Sequence, residues 1–295
     1  MPGSETTNLA PASAGAVSGK DAEQTARRAA GEAAAALVQS DMVVGLGTGD
    51  TAAYAIRAIA ARHEGCKNET GRSVDSTAAP LRGLRCVATS RRSAELAAYL
   101  GLKLLELDDL DPSAAGAVAG AAAGQSKDAA AAHGRRPIDI TIDGADEIDP
   151  QLQLIKGAGG ALLFEKLVAQ SSKRLVIIAD PSKCVNQIGE KRLLPVEIVT
   201  LGSRHTRERI LGVPGVLAAT LRRNGEAPYR TDDGNLILDV QLDFKAGIRA
   251  PELHAQLKSL CGVIETGLFC SEADHALIGQ PDGTVVRLQV STVAR

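Results

Sequence analysis

Length, composition and charge set the first limits on this chain. Its 295 residues are enough for one large α/β domain or two unequal domains, and two are favoured. Apolar residues make up 44% of the chain and aromatic residues only 2%, so the core must be aliphatic, which suits buried parallel strands covered by alanine-rich helices. The formal net charge of -2 gives no overall field that would attract nucleic acid or an acidic membrane surface.

The N-terminal stretch and the cysteines favour a reducing cytoplasm. Residues 1–20 are rich in small and polar residues and contain no apolar run of signal-peptide or membrane-spanning length, so we predict a disordered tail. The cysteines are scattered and form no C-x-x-C pair, which argues against a disulfide framework and a zinc knuckle. They are Cys66, Cys86, Cys184, Cys261 and Cys270.

Strand and helix patterns alternate through the first part of the chain. Asp21 and Gln24 predict a helix N-cap with its reciprocal partner, followed by a helix from Thr25 to Val38. The strand–helix alternation that follows favours a largely parallel sheet with crossover helices. The predicted strands are Met42–Val44, Leu84–Ala88 and Arg174–Ala179, and the predicted helices are Thr51–Ala61 and Ser90–Leu100, with a short helical turn after Ala179.

The alternation is interrupted twice and then changes character. The polar stretch His63–Arg82 and the Ala/Gly-rich stretch Pro112–Arg136 are predicted surface insertions. After Pro195 the pattern indicates a small α+β module, and the last two strands can rejoin the first sheet. The predicted strands here are Val196–Thr200, Leu217–Arg222, Asn235–Leu242, Ala276–Ile278 and Thr284–Val290, and the helices are Arg204–Leu211 and Pro251–Leu260.

A glycine-rich turn, Gly45–Thr51, lies between the first predicted strand and the next helix. Free backbone N–H groups and the positive end of a helix can hold a phosphate at such a turn, and glycines let the backbone approach it closely. A simple tight connection explains the same residues equally well. The spacing is neither that of a dinucleotide-binding turn nor that of a P-loop.

A cluster of acids follows the alternating strand that begins at Ile138. Such crowding is repulsive unless a metal, a lysine or a substrate hydroxyl compensates it, and it raises proton affinity, which favours proton transfer. A solvated acidic turn is the alternative, and the spacing lacks the ligand pattern of an EF-hand. The acids are Asp143, Asp146, Glu147 and Asp149.

Three further charged residues lie at turns or in the helix that follows one. Lys156 stands at the edge of a second glycine-rich turn, where it can stabilise a developing oxyanion, and Glu165 on the following helix can face the same cleft as a general base. Lys183 follows the strand Arg174–Ala179, at the edge where open α/β sheets bind ligands. Each residue taken singly is also consistent with an ordinary surface position.

Taken together, eight segments of the chain closely resemble the signature segments of the type A ribose-5-phosphate isomerases. They are GLGTGDTA, TSRRSAELAAYLG, DITIDGADEID, LIKGAGGALLFEKLVA, ADPSKCV, LPVEIV, TDDGNLILDV and GVIETGLF, in that order. The resemblance covers roughly residues 25 to 290 without the two insertions. DGADE followed by KG-x-GG-x4-E is a combination of high specificity.

The resemblance implies an α/β fold with two domains. A Rossmann-like catalytic domain with a mostly parallel sheet would comprise residues 21–192 and 267–295, and a smaller inserted α+β domain would comprise residues 193–266. The implied activity is the interconversion of D-ribose 5-phosphate and D-ribulose 5-phosphate through a cis-enediolate, in the non-oxidative pentose phosphate pathway. A homodimer or homotetramer in the cytoplasm, without metal or organic cofactor, is also implied.

The resemblance also assigns roles to individual residues. Glu165 would carry the proton between carbons 1 and 2, Asp143 and Asp146 would bind sugar oxygens and relay hydroxyl protons, and Lys156 would stabilise the enediolate oxygen. The phosphate and its neighbouring groups would be held by Arg27, Thr48, Gly49, Asp50, Thr51 and Lys183. The remaining substrate-binding positions would be Gly144, Ala145, Gly157, Ala158 and Gly159.

This chain departs from the family pattern at three positions. Asp50 stands where the family usually has serine, and its carboxylate would repel a phosphate unless it turns outward or pairs with Arg27 or Lys183. Ala158 replaces a usual glycine and Phe164 a usual arginine. Neither change removes a catalytic group.

Other classes of protein fit less well. A sugar-phosphate sensor without catalysis would be expected to lose the base, whereas Glu165 is present with Lys156 and both aspartates. A Rossmann dehydrogenase is disfavoured by the glycine spacing. A Ser-His-Asp hydrolase is disfavoured because no histidine falls in a motif and no G-x-S-x-G segment exists.

Overall fold

The computed structural model describes residues 19–63, 80–110, 136–243 and 247–290. The predicted tail up to residue 18, and residues 64–79 and 111–135 of the two predicted insertions, lie outside this part of the chain. The first described elements are α1 (Gly19–Ala35), β1 (Val43–Leu46), α2 (Asp50–Arg62), β2 (Arg85–Ala88) and α3 (Arg91–Tyr99).

The start of α1 differs from the prediction. Asp21 was predicted to be the N-cap, and this is wrong, because α1 already includes Gly19 and Lys20. Asp21 lies in the first turn, where a negative charge interacts favourably with the helix dipole. The helix also ends at Ala35 and not at Val38.

The remaining elements complete three larger sheets and a short hairpin. The middle of the chain forms β3 (Ile140–Gly144), β4 (Glu147–Ile148), β5 (Leu154–Ile155), α4 (Leu162–Gln170) and β6 (Leu175–Ala179). The rest forms β7 (Leu194–Ile198), α5 (Ser203–Leu211), β8 (Val216–Leu221), β9 (Arg223–Asn224), β10 (Ala227–Pro228), β11 (Leu236–Leu242), α6 (Ala250–Lys258), β12 (Val263–Thr266), β13 (Leu268–Phe269), β14 (His275–Gly279) and β15 (Val285–Leu288).

The main sheet has six strands in the order β15-β14-β6-β3-β1-β2. All neighbouring pairs are parallel except β14 and β15. Every residue of β1 and β6 is buried, as expected for strands covered by helices on both faces. The α/β fold class is confirmed, and so is the prediction that the last two strands rejoin the first sheet.

Small residues let α1 pack closely on its neighbours. A Cβ on Gly31 would lie 2.8 Å from Tyr54 Cβ of α2, and a Cβ on Gly279 of β14 would lie 1.8 Å from the carbonyl oxygen of Ala26. Side chains at these two positions would force the helix away from the sheet. The alanine-rich sequence of α1 therefore brings Arg27 close to the edge of the sheet that carries the candidate site.

The second part of the fold is antiparallel. Strands β12, β7, β11 and β8 form a four-stranded sheet, in that order, with its own apolar cluster. Strands β13, β5 and β4 form a three-stranded sheet, so β13, which follows the small module in the chain, pairs with β5 next to Lys156. The division of the chain into two domains at Leu193 and Thr266 stays a prediction.

Candidate active site

A cleft of about 180 Å³ lies at the carboxyl ends of β1, β3 and β6. The order of the strands reverses between β1 and β3, which is where open α/β sheets bind ligands. The cleft is lined by Arg27, Thr48, Gly49, Asp50, Thr51, Gly144, Ala145, Asp146, Lys156, Gly157, Ala158, Gly159, Glu165 and Lys183. All of these residues were predicted from the sequence, and the remaining predicted residue, Asp143, contacts Lys156.

A buried ammonium group stands between two buried carboxylates. Lys156 Nζ donates a hydrogen bond to Glu165 Oε1 at 3.0 Å and to the carbonyl oxygen of Gly144 at 2.5 Å. It also forms an ion pair with Asp143 Oδ2 at 3.1 Å, without hydrogen-bond alignment. None of the three charged residues is more than 5% exposed. One ammonium can balance only one ionised carboxylate, so the second carboxyl group favours its protonated form.

Local backbone structure sets the positions of Lys156 and Glu165. Lys156 directly follows β5, and its N–H donates to the carbonyl oxygen of Gly267 at 2.9 Å. The chain then turns at Gly157, which has a φ of 101° and leaves no room for a Cβ, since that atom would lie 2.9 Å from Leu162 Cβ. This turn leads into α4, whose first turn carries Glu165.

Burial dominates the electrostatics of the three charged groups. It raises the pKa of Glu165 to about 8, and the Asp143 charge adds to the shift while Lys156 opposes it. Burial also raises the pKa of Asp143 against the opposing Lys156 charge. The pKa of Lys156 lies above its ordinary value because the two carboxylates outweigh the effect of burial. The site therefore holds a permanent cation next to a carboxyl group that titrates near neutrality.

The four acids at the end of β3 and just after it divide into two pairs, of which the first lines or contacts the cleft. Asp143 Oδ1 accepts N–H bonds from Thr48 at 3.0 Å and Gly144 at 2.7 Å. Asp146 Oδ2 accepts the N–H of Ala158 at 2.8 Å. Both side chains are thereby fixed to loops of the cleft.

The other pair has a structural role. Glu147 is fully buried and accepts backbone N–H groups of Lys191 at 2.5 Å and Arg192 at 2.6 Å. Asp149 accepts those of Gln151 at 2.9 Å and Gln153 at 2.8 Å. The expectation that a metal, a lysine or a substrate hydroxyl compensates the whole cluster is wrong for these two acids, because backbone N–H groups do so.

The opposite end of the cleft presents the start of α2 and two cations. Gly49 precedes the helix with a φ of 105°, and no side chain caps the first N–H groups of α2. Thr48 Oγ1 is hydrogen-bonded to Thr89 and Ser90 at 2.8 Å each, which fixes the turn. Arg27 and Lys183 complete the lining. Free N–H groups, a helix N-terminus and two cations are the features that bind phosphate.

The charge pairs at this end differ from those expected. Asp50 pairs neither with Arg27 nor with Lys183 but with Arg92 of α3, at 2.7 Å. Arg27 Nε donates instead to Asp180 Oδ2 at 3.1 Å. Asp180 also caps the short 3-10 turn Pro181–Lys183 that presents Lys183. The Asp50 carboxylate is therefore partly neutralised by a residue that was not predicted for the site.

Sequence reasoning missed two further residues that contact the cleft from outside. Arg222 Nη1 donates to the carbonyl oxygens of Gly157 and Ala158, at 2.9 Å each, and the Tyr229 hydroxyl donates to that of Gly159 at 3.0 Å. No motif marks either residue. The nearest segment that resembles the family is TDDGNLILDV, which begins two residues after Tyr229.

Two features are absent from the described ranges. No three His, Cys, Asp or Glu side chains in residues 19–63, 80–110, 136–243 and 247–290 are grouped so that they could hold a metal ion. No helix in the same ranges is long and apolar enough to cross a membrane.

Known proteins share this sequence and fold. The model of the family described as ribose 5-phosphate isomerase A (phosphoriboisomerase A) matches residues 120–283. Ribose-5-phosphate isomerase A of Deinococcus radiodurans is 43% identical over 249 residues, which are 84% of this chain and 91% of that protein.

Solved structures agree with the sequence comparison. Ribose 5-phosphate isomerase from Plasmodium falciparum has a TM-score of 0.71 and 32% identity, covering 91% of this chain and 99% of that one. A D-ribose-5-phosphate isomerase in complex with phospho-erythronic acid has a TM-score of 0.71 and 27% identity, with the same coverage. Fold, cleft and similarity together define an α/β isomerase. The chain belongs to the ribose 5-phosphate isomerase A family.

Proposed function

We propose that this chain interconverts D-ribose 5-phosphate and D-ribulose 5-phosphate by moving a proton between carbons 1 and 2 of the open-chain sugar. Membership of the family supports the reaction, and the complex of a relative with phospho-erythronic acid supports a sugar-phosphate ligand. The observation that carries the proposal is the Lys156 ammonium, held between Asp143 and Glu165 at the cleft.

The chemistry needs a base for the carbon-bound proton and a cation for the charge that develops. Glu165 removes the proton from carbon 2 of the aldose, and the electron pair moves onto the carbonyl oxygen to give a cis-enediolate. Lys156 stabilises that oxygen, and Glu165 then returns its proton to carbon 1. The hydroxyl proton of oxygen 2 passes to oxygen 1 with Asp143 or Asp146 as relay, which leaves a ketose.

Glu165 has the properties that a shuttling base requires. Its Oε2 is buried and has no hydrogen-bond partner in the described part of the chain, so this oxygen can accept a proton from carbon. A pKa of about 8 lets the same carboxyl group release the proton again near neutral pH. The Lys156 contact on Oε1 keeps the carboxylate in place during both steps.

The opposite end of the cleft holds the phosphate in this proposal. The first N–H groups of α2 and the hydroxyl of Thr51 supply hydrogen bonds, while Arg27 and Lys183 supply charge. The phosphate does not react, so it anchors the sugar with carbons 1 and 2 towards Glu165.

Three further inferences accompany this proposal. The reaction needs no metal or organic cofactor, because Lys156 and Glu165 provide the charge stabilisation and the proton transfer. Assembly into a homodimer or homotetramer is supported by the sequence resemblance, and a cytoplasmic location by the scattered cysteines and the N-terminal composition. Light scattering of the purified chain tests the assembly.

Substitution of Glu165 by Gln tests the proposed function. In a coupled assay of ribose 5-phosphate conversion with EDTA present, wild type is active and E165Q loses about 10³-fold in kcat. Ribose 5-phosphate still raises the Tm of E165Q, because the phosphate end is intact. Glu208→Gln, an exposed position on α5, is the matched control and keeps full activity.

The outcomes separate the parts of the proposal. Wild type that does not convert ribose 5-phosphate contradicts the function. Activity that EDTA abolishes contradicts the metal-free mechanism. An E165Q variant that keeps most of its activity contradicts the role of Glu165 alone.

A further inference from the structure

The turn after Lys156 is held from outside the cleft by two side chains of the small antiparallel module. Arg222 Nη1 donates to the carbonyl oxygens of Gly157 and Ala158, and the Tyr229 hydroxyl donates to that of Gly159. Three consecutive carbonyl oxygens of the turn thus accept hydrogen bonds from side chains of the same module. A surface turn normally leaves such oxygens to water.

Arg222 is itself fixed in place. Its Nε donates to Asp239 Oδ2 of β11 at 3.0 Å, and its Nη2 contacts Asp239 Oδ1, so the two side chains form a two-point pair. The Arg222 guanidinium also lies 5.8 Å from the centre of the Tyr229 ring. Only 14% of the Arg222 side chain is exposed. A planar guanidinium held at two points presents its remaining N–H groups in one direction.

Because the peptide bond is planar, the contact with Arg222 also fixes the direction of N–H groups in the turn. In a trans peptide the N–H points opposite to the carbonyl oxygen. The N–H groups of Ala158 and Gly159 must therefore point away from Arg222, towards the cleft that both residues line. The N–H of Ala158 does so, since it donates to Asp146 Oδ2 at 2.8 Å.

Tyr229 also restricts the shape of the turn. A Cβ on Gly160 would lie 2.2 Å from the Tyr229 hydroxyl oxygen, and the φ of Gly160 is 83°. The tyrosine therefore packs where only glycine fits. The turn is closed on its inner side by the hydrogen bond from the N–H of Gly160 to the carbonyl oxygen of Gly157, at 2.9 Å.

We propose that Arg222 and Tyr229 are positioning residues, which reach from the small module to aim the N–H groups of Ala158 and Gly159, and with them Asp146, at the reacting end of the substrate. The inference rests on the proposed function, since it assigns these groups to the enediolate end of the cleft. It gives the small module a direct part in catalysis. Displacement of the turn by about 1 Å would misalign Asp146, which accepts the N–H of Ala158.

The test compares Arg222→Met with Arg223→Met. Arg223 is the next residue and is exposed, and its guanidinium donates to the carbonyl oxygen of Glu226 in the same hairpin, so its loss leaves kcat and KM unchanged. R222M lowers kcat by about 30-fold while KM changes less than about threefold, because the phosphate end is untouched. Arg222→Lys restores part of kcat, and Tyr229→Phe lowers kcat by about threefold.

Stability measurements distinguish an effect on catalysis from an effect on folding. Tm with and without ribose 5-phosphate is measured for each variant, and kcat is expressed per folded protein. An R222M variant whose Tm falls while kcat stays at the wild-type value overturns the inference, because the contact is then only structural. An increase in KM at constant kcat also overturns it. Failure of the proposed function is recognised separately, since wild type would then be inactive.

Discussion

The two ends of the cleft hold their charges in different ways. At the reacting end, the Lys156 ammonium lies within 3.1 Å of two carboxylates that are almost inaccessible to solvent. At the phosphate end, the side chains of Arg27 and Asp50 stay 21% and 65% exposed, and Arg27 pairs with the buried Asp180 whereas Asp50 pairs with the exposed Arg92. The charges at the reacting end are buried and fixed in place. Those at the phosphate end are more exposed, so solvent screens them.

This difference predicts how each end contributes to catalysis. Buried charges that are already in place cost no reorganisation when the reaction occurs, so they stabilise the transition state more than the substrate. Exposed groups around a phosphate bind the substrate and the transition state equally. Substitutions at the reacting end should therefore change kcat, and substitutions at the phosphate end should change KM.

The largest expected effect is at Lys156. Lys156→Met removes the cation that stabilises the enediolate and leaves two buried carboxylates, so kcat falls by about 10³-fold. Breaking a buried pair in this way also costs about 3–5 kcal/mol of stability, which a melting experiment measures. Lys173→Met removes an exposed lysine that pairs with Asp139 and is the matched control. A K156M variant that changes only KM would break the distinction between the two ends.

The pH dependence of kcat/KM tests the reacting end further. Glu165 acts as a base only when ionised, and its pKa is raised to about 8, so kcat/KM rises with pH and levels off above 8. At pH 6 it should be about 100-fold below its plateau. Asp143→Asn removes a negative charge that raises the pKa of Glu165, so the residual activity of D143N should begin to fall at a lower pH. A profile that is flat between pH 6 and 9 contradicts the assignment.

A smaller effect is expected at Lys183, and it should be on KM and not on kcat. Lys183→Ala removes one cation from the phosphate end, so KM for ribose 5-phosphate rises by about 10-fold while kcat changes less than twofold. The dependence of KM on salt concentration should also weaken, because a screened charge pair is lost. Lys103→Ala, an exposed lysine of another loop, is the control. A fall in kcat equal to the rise in KM would show that the phosphate contact acts on the chemistry.

Most of the main sheet could be predicted from local patterns. Strands β1 and β6 are short apolar runs followed by turns and helices, and burial on both faces leaves this pattern in the sequence. Asp21 shows the limit of such signals. A carboxylate is favourable both at the N-cap and in the first turn, so the pattern does not fix the residue at which a helix begins.

The candidate site also contains residues that the sequence predicts and residues that it does not. Asp143, Lys156 and Glu165 stand at strand ends or in the helix that follows a turn, where the topology of a parallel sheet brings side chains together. Arg222 is 65 residues from Gly157 in the sequence, and its contact depends on how the small module packs against the main sheet. Pairings across elements of this kind leave no periodic signal, and so neither Arg222 nor the pairing of Arg92 with Asp50 was predictable.

The smallest expected effect concerns Asp50 and tests the phosphate end alone. Asp50→Ser removes a negative charge from the rim and should lower KM about threefold without changing kcat, because the carboxylate is exposed and largely screened. Arg92→Met should raise KM about threefold, since it leaves the Asp50 carboxylate unpaired beside the phosphate.

The combination of the two substitutions gives the sharper result. If Arg92 acts by neutralising Asp50, R92M should have little effect once residue 50 is serine, and the two changes will not be additive. If Arg92 instead contacts the phosphate itself, R92M will raise KM equally in both backgrounds. Because Asp50 pairs with Arg92 at 2.7 Å and not with Arg27 or Lys183, we expect the first outcome. Asp50 would then not compete with the substrate phosphate for Arg27 or Lys183.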